Sequence, residues 1–194
     1  MINKSKITQK TLTAQVAGLL PGDSNIEFIG LKETKQVIWL QHGRSLEWCH
    51  LPKSIYDICK KQYLKDKKAV SYLQLECTAV NRQVELYVYH LYGDIDHLPD
   101  YLNGRLTISE NFRDTKNTPA LDWDSKHITI EDVELNERDL KIIDLILDDE
   151  KDETIAAALG ITVSTLAFHK KNLFVKVNVQ SKTGLIIAVL NHHV

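Results

Sequence analysis

The first third of the chain alternates short apolar runs with polar turns, a pattern typical of β-strands joined by tight connections. Two β-prone runs, Asn25–Leu31 and Gln36–Gln41, flank the polar segment Lys32–Lys35, and this order predicts a hairpin. The next segment, Ser54–Lys65, follows Pro52, a residue favoured at helix starts. It is predicted to form a helix with an inner face of Ile55, Ile58, Cys59 and Tyr63.

Alternation returns in Ala69–Val80 and Val84–Tyr92, which are separated by three polar residues at 81–83. We therefore predict a second hairpin. Its second strand would present Val84, Leu86, Val88 and His90 on one side and Glu85, Tyr87, Tyr89 and Leu91 on the other. Antiparallel hairpins plus helices make the N-terminal part α+β, an order compatible, by analogy only, with a PAS-like sensory module.

A polar segment then separates this part from the rest of the chain. Asn111–Lys126 contains Pro119 and has neither helical nor alternating periodicity, as is typical of a linker. The sequence thus predicts two domains: residues 1–110 form an α+β sensory or protein-binding domain, 111–130 a linker, and 131–194 an all-α four-helix domain.

The last third has helical periodicity. Leu135–Leu147 forms a broad apolar face, and Asn136 can cap its start. The face comprises Leu135, Leu140, Ile142, Ile143, Ile146 and Leu147. A short helix follows at Thr154–Leu159, with Ile155, Ala156 and Leu159 inward.

Gly160 comes directly after this short helix, and glycine most easily takes a left-handed turn at a helix end. Thr162 can then cap a third helix that runs to about Val177. Helix, glycine-containing turn and helix are the parts of a helix-turn-helix, whose second helix enters the DNA major groove.

The third helix divides into two faces. Its inward stripe is predicted to be Leu166, His169, Leu173 and Val177. Its outward residues are Ser164, Thr165, Ala167, Phe168, Lys171, Asn172 and Val175. An exposed face with lysine, asparagine, hydroxyls and an aromatic ring, and without a carboxylate, suits phosphates and base edges.

Charge is unevenly distributed, although the 194 residues carry a formal net charge of only −2. Residues 154–194 contain no Asp or Glu but four lysines, whereas residues 131–153 contain eleven carboxylates. This segregation predicts one face that attracts an anion and another that repels it.

Residues 135–185 resemble the LuxR-type helix-turn-helix of bacterial transcription regulators. The resemblance is gapless and lies in Leu135, Arg138, Leu145, Ile146, Ile155, Ala156, Leu159, Ile161, Thr165, His169, Asn172, Lys176, Val179, Ser181, Thr183 and Leu185. It implies that Thr162–Val177 is the recognition helix and that Lys182–Leu190 is a fourth helix with a small dimer contact.

Family members contact phosphates from positions matching Thr165, His169, Lys176 and Lys182, and bases from positions matching Ala167, Phe168 and Lys171. With their neighbours, the candidate DNA-binding residues are Thr165, Ala167, Phe168, His169, Lys170, Lys171, Asn172, Lys176 and Lys182. The candidate dimerisation residues are the apolar stripe Leu185, Ile186, Val189 and Leu190. Part of this stripe is expected to pack on the first helix of the domain, through residues such as Ile142 and Ile146, and the remainder to contact a second subunit.

Five positions depart from the family pattern. Relatives often have a basic residue at Ala167, a small or β-branched one at Phe168 and Glu at Thr154. Glycine is usual at Asp149 and Asn178, which predicts left-handed backbone there. The loss of a basic side chain at 167 implies an unusual or relaxed base preference.

Other chemistry finds little support in the sequence. Three cysteines without a CxxC spacing indicate neither a disulfide framework nor a zinc site, and Gly-rich phosphate loops and HExxH are absent. Two groups, Trp48-Cys49-His50 and His90, Asp94, Asp96 and His97, are interpreted as turn and strand-end residues, so no metal or cofactor is predicted. Lys4, Lys6 and Lys10 precede an apolar stretch without a cleavage signal, so we expect a cytoplasmic protein.

These features together predict a bacterial transcription regulator, not an enzyme, that binds double-stranded DNA as a homodimer. Its N-terminal domain would receive an unknown small-molecule or protein signal, and no membrane is involved. Three alternatives remain: a protein-interaction module that engages RNA polymerase or another regulator, a sigma factor, and an enzyme with a DNA-binding tail.

Overall fold

The computed structural model describes residues 15–96 and 98–194. Lys4, Lys6 and Lys10, the lysines that precede the apolar stretch near the N-terminus, lie outside the described residues, as does His97. Among the helices of the described ranges, none has the length and apolar character needed to cross a membrane.

The N-terminal part contains a three-stranded antiparallel sheet. Its strands are β1 (Glu27–Leu31), β2 (Gln36–Gln41) and β3 (Arg44–Glu47), in the order β1-β2-β3. The pairing of β1 with β2 confirms the first predicted hairpin. A helix α1 (Lys53–Lys65) confirms the helix predicted from the spacing of its apolar residues.

The second predicted hairpin is wrong. The chain forms two helices there, α2 (Lys67–Glu76) and α3 (Val80–Tyr92). Every residue of α3 from Gln83 to Tyr92 is buried. Because the helix is buried on nearly all sides, apolar side chains occupy more than one face, and residues 84–92 also satisfy the alternation expected of a strand.

Helix α3 lies against β1 and β2 at the centre of the N-terminal core. Gly30 permits this close approach, because a Cβ there would lie 2.7 Å from the Tyr89 ring. Glu85 also joins the two layers, since its Oε1 accepts a hydrogen bond of 3.1 Å from the Val37 amide.

The segment predicted as a linker carries buried residues. After a small hairpin of β4 (Tyr101–Leu102) and β5 (Arg105–Leu106), Phe112, Ala120 and Trp123 enter the N-terminal core. The Trp123 ring stacks on Tyr87 with centroids 5.8 Å apart and planes 14° apart. The boundaries at 110 and 130 stay predictions, but most of the connection packs as part of the N-terminal fold.

The C-terminal domain has its own hydrophobic core. A two-strand hairpin precedes four helices, which agrees with the predicted all-α helix-turn-helix fold. The elements are β6 (Thr129–Ile130), β7 (Val133–Glu134), α4 (Glu137–Leu147), α5 (Asp152–Ala158), α6 (Val163–Lys176) and α7 (Lys182–Asn191).

Local signals in this domain behave as the sequence predicts. Asn136 caps α4, its Oδ1 accepting a 2.9 Å hydrogen bond from the Asp139 amide. Gly160 has φ +65°, so the turn between α5 and α6 uses the left-handed conformation. Asp149 and Asn178 also have positive φ, at 58° and 52°, which confirms the expected left-handed backbone at both.

Polar contacts join the two domains. Arg113 donates two hydrogen bonds to the carboxylate of Asp144 on α4, at 2.8 and 3.1 Å, and both side chains are almost completely buried. At the end of the chain, Nδ1 of His193 lies 2.7 Å from Oδ2 of Asp94. The junction is thus polar, and α4 is tied to the N-terminal part through the connecting segment.

Candidate nucleic-acid interface

The helix α6 is held at its start by a hydroxyl cap. Thr162 Oγ1 accepts a 3.1 Å hydrogen bond from the Thr165 amide, and it lies 2.8 Å from Thr165 Oγ1 and 2.9 Å from Ser164 Oγ. Leu166 and Leu173 anchor the inner face in the core. Three hydroxyls and the free amides of the first turn therefore lie together at the N-terminus of the helix.

The outer face of α6 is open to solvent as predicted. Phe168 is 60% exposed, and Ala167, Lys171 and Asn172 are exposed beside it. Within the described ranges, Lys171 forms no ion pair. An unpaired ammonium next to an open aromatic ring is available to a partner at the centre of this face.

His169 is half-buried, at the edge between the two faces of α6. Its Nε2 lies 3.4 Å from Nη1 of Arg138 on α4. Arg138 is exposed and is not among the DNA-binding residues predicted from the sequence. Its guanidinium adds a cation at the edge of the outer face of α6. The sequence did contain a signal for this residue, because Arg138 is one of the positions that carry the family resemblance.

Three of the lysines predicted to bind DNA form ion pairs with carboxylates of the acidic segment at residues 131–153. The pairs are Lys170–Asp152 at 2.7 Å, Lys176–Asp139 at 2.7 Å and Lys182–Asp149 at 3.1 Å. The two groups are separated along the sequence but meet in space. The expected repelling and attracting faces are therefore interleaved, and the positive charge around α6 is partly neutralised.

The dimerisation stripe needs a correction. Leu185 and Val189 are completely buried in the core of their own domain, so neither offers surface to a second subunit. Ile186 is half-buried. The exposed apolar residues of α7 are Ile187, at 54%, and Leu190, at 65%.

A cavity of about 460 Å³ lies beside α6, lined by residues that include Asp152, Lys170 and Lys171.

Leu147, predicted on the apolar face of α4, is 37% exposed because it lies at the end of that helix. The other predicted apolar residues of α4 lie in the C-terminal core.

Comparison with protein families gives one match in this region. Residues 133–189 match the family described as bacterial regulatory proteins, luxR family. The match extends from β7 to α7. No curated protein and no solved structure gives a match.

Proposed function

Because residues 133–189 form a LuxR-family helix-turn-helix domain, we propose that the whole protein is a bacterial transcription regulator that binds double-stranded DNA through α6. Such a domain indicates a regulator rather than an enzyme. The observation that carries the proposal is the exposed face of α6, which has no carboxylate and is centred on Lys171. In this proposal the N-terminal domain receives a small-molecule or protein signal.

Base recognition is assigned to the middle of α6. A recognition helix lies in the major groove with outward side chains against base edges. Lys171 can donate to guanine O6 or N7, and Phe168 can pack against a thymine methyl. Ala167 cannot form a hydrogen bond to a base, so fewer positions of the operator are discriminated.

Phosphate contacts are assigned to the paired lysines and to the capped first turn. A phosphate oxygen would replace the carboxylate partner of Lys170, Lys176 or Lys182, and the carboxylate would return to water. Each contact therefore gains less than one made by a free lysine. We expect tight binding only where base contacts add to this weak electrostatic attraction.

The first prediction is that Lys171→Ala weakens specific DNA binding by about 1–3 kcal/mol, or roughly 5- to 150-fold. The reason is the loss of the only described cation on the outer face of α6 that has no carboxylate partner. Fluorescence anisotropy of the full chain on its own operator and on random DNA measures the effect. Binding sites mapped across the genome supply the operator.

Two matched variants sharpen this experiment. Lys61→Ala removes the same charge from an exposed position on α1 and should leave binding unchanged. Asp152→Asn frees Lys170 and should tighten binding to both DNAs at low salt. Unchanged affinity of Lys171→Ala for the operator would refute the assignment of this face.

A protein-interaction module that engages RNA polymerase or another regulator is the second candidate function. It is favoured by the exposed apolar side chains of α6, since Phe168 is 60% and Val175 74% exposed. Apolar surface of this kind is typical of protein contacts. Failure of the full chain to bind any DNA, with α6 folded, would support this candidate.

We also propose a homodimer on paired half-sites. Ile187 and Leu190 alone offer far less than the roughly 1,200 Å² of a stable interface, so the N-terminal domain must supply most of the association. Sedimentation should show a dimer of the full chain at micromolar concentration. Leu190→Asp should preserve that dimer but reduce cooperative binding to two half-sites, and a monomeric full chain would contradict the proposal.

A further inference from the structure

Three acidic side chains from distant parts of the chain converge beneath the surface of the N-terminal domain. Glu27 comes from β1, Asp96 from the loop after α3, and Glu110 from the segment after β5. One carboxylate oxygen from each side chain lies within 4.8 Å of the corresponding oxygens of the other two. Glu27 is completely buried, Glu110 is 7% exposed and Asp96 is half-buried.

The backbone fixes each of these side chains through one oxygen. Oε1 of Glu27 accepts a 3.3 Å hydrogen bond from the Asp96 amide, and Oε2 of Glu110 accepts one of 2.8 Å from the Asp94 amide. Oδ1 of Asp96 accepts one of 2.7 Å from the Leu98 amide. The cluster is therefore held in place by amide donors, as metal ligands usually are.

The second oxygen of both buried glutamates lacks a partner. Oε2 of Glu27 and Oε1 of Glu110 are inaccessible to solvent and have no hydrogen-bond donor among the described residues. Such groups are rare in folded proteins, because losing water without gaining a partner is costly. An additional positively charged or donating species would satisfy both oxygens.

The surrounding side chains supply no cation to these oxygens. Asp100, which is 1% exposed, is held by a 2.6 Å hydrogen bond from the Phe28 amide and lies beside Glu110. Burial and the charges of Glu110 and Glu27 raise the pKa of Asp100, so the one donor on this side is a proton shared with Glu110. The nearby ammonium of Lys126 donates instead to the backbone carbonyls of His90 and Glu110, at 2.7 and 2.8 Å. The carboxyl groups of the cluster therefore outnumber the one cation nearby, Lys126.

We propose that Glu27, Asp96 and Glu110 form a binding site for one divalent metal cation that prefers oxygen ligands. Ca²⁺ fits this arrangement, because Ca–O bonds of about 2.3–2.6 Å allow one ion to reach oxygens separated by up to about 5 Å. Cys and His ligands, which zinc prefers, are absent from the three side chains.

The cavity beside the cluster gives the ion an entry path and places the site near the C-terminal domain. Asp96 and Glu110 line a cavity of about 850 Å³, which can supply the water ligands that three side chains leave open. The same cavity is bordered by His192 and His193 at the end of the C-terminal domain. A bound cation would therefore sit at the junction of the two domains.

A proton is the competing occupant. Burial raises the pKa of Glu27 to about 8 and that of Glu110 to about 9. In the absence of a cation, protonation would relieve the repulsion between these groups. The experiment must therefore distinguish an ion from a protonated cluster, so cation binding is measured at pH values from about 7 to about 9.5 and should tighten as the pH rises and the carboxyls lose their protons.

The test is isothermal titration calorimetry and thermal unfolding of the full chain with CaCl₂, MgCl₂ or MnCl₂. We expect one Ca²⁺ ion per chain and a rise in melting temperature of about 5–10 °C at a hundredfold excess over Kd. Equal concentrations of NaCl control for ionic strength. The absence of saturable binding by all three divalent ions would overturn the proposal.

Variants then locate the ion. Glu27→Gln and Asp96→Asn should each weaken Ca²⁺ binding at least tenfold, and Asp96→Asn retains the oxygen held by the Leu98 amide. Glu134→Gln, an exposed residue of the C-terminal domain, is the matched control. If Glu27→Gln fails to fold, Asp96→Asn decides, and unchanged binding by that folded variant would refute the site. DNA binding is assayed separately, so its outcome does not affect this one.

Discussion

Replacing Asp144 with alanine should lower the free energy of unfolding of the full chain by about 3 kcal/mol. The side chain of its partner Arg113 is only 9% exposed, so the variant leaves a guanidinium almost buried without its two charge-assisted hydrogen bonds. Removing one member of a buried pair commonly costs about 3–5 kcal/mol, and the partial exposure places this pair at the lower end. Urea denaturation followed by circular dichroism measures the change.

A double-mutant cycle separates the ion pair from simple loss of packing. Arg113→Met with Asp144→Leu removes both charges and should recover most of the stability that either single charge removal loses. Lys141→Ala breaks an exposed pair with Glu137 on the same helix and should change stability by less than about 0.5 kcal/mol. If Asp144→Ala were equally mild, Arg113 would not tie α4 to the N-terminal domain.

The C-terminal fold could be predicted because its signals are local. Asn136 and Thr162 both cap the helices assigned to them, and Gly160 takes the left-handed conformation. Each signal depends on neighbours within one helical turn, so a single sequence is sufficient to identify it. The ion pairs of α6 could not be predicted, because they depend on how α4 and α5 pack against that helix.

The error at α3 has the opposite origin. Its central position surrounds residues 83–92 with other elements, so apolar side chains lie on several faces of the helix and the same residues also satisfy strand alternation. A local signal for α2 was nevertheless present. The side chain of Asp66 accepts a 2.9 Å hydrogen bond from the Ala69 amide, the standard role of aspartate at a helix N-cap.

The acidic cluster lay beyond the reach of sequence patterns. Glu27, Asp96 and Glu110 are separated by 69 and 14 positions, and only the folding of β1 against the loop after α3 unites them. From the sequence, Asp96 and Asp94 are both interpreted as turn or strand-end residues. The one available signal was a glutamate within the apolar strand that contains Glu27, since such positions seldom hold an unpaired charge.

The connecting segment provides the other large expected effect: Trp123→Ala should destabilise the N-terminal domain by about 3–5 kcal/mol. Trp123 is 4% exposed, stacks on Tyr87 and meets the edge of His90 with centroids 5.2 Å apart. Truncation would leave a cavity between α3 and the connection. Urea denaturation followed by tryptophan fluorescence measures this loss, because Trp39 and Trp48 remain in the same domain as reporters.

Tryptophan fluorescence reports on unfolding of the N-terminal part alone, because all three tryptophans precede residue 131. Trp123→Phe keeps an aromatic ring against Tyr87 and should recover more than half of the loss. Leu75→Ala removes an apolar side chain that is 89% exposed and should change stability by less than about 0.5 kcal/mol. A loss below about 1 kcal/mol for Trp123→Ala would mean that the segment is a linker after all. A loss of the expected size would extend the N-terminal domain to include Trp123, and a signal received there would act on α4 through a rigid connection.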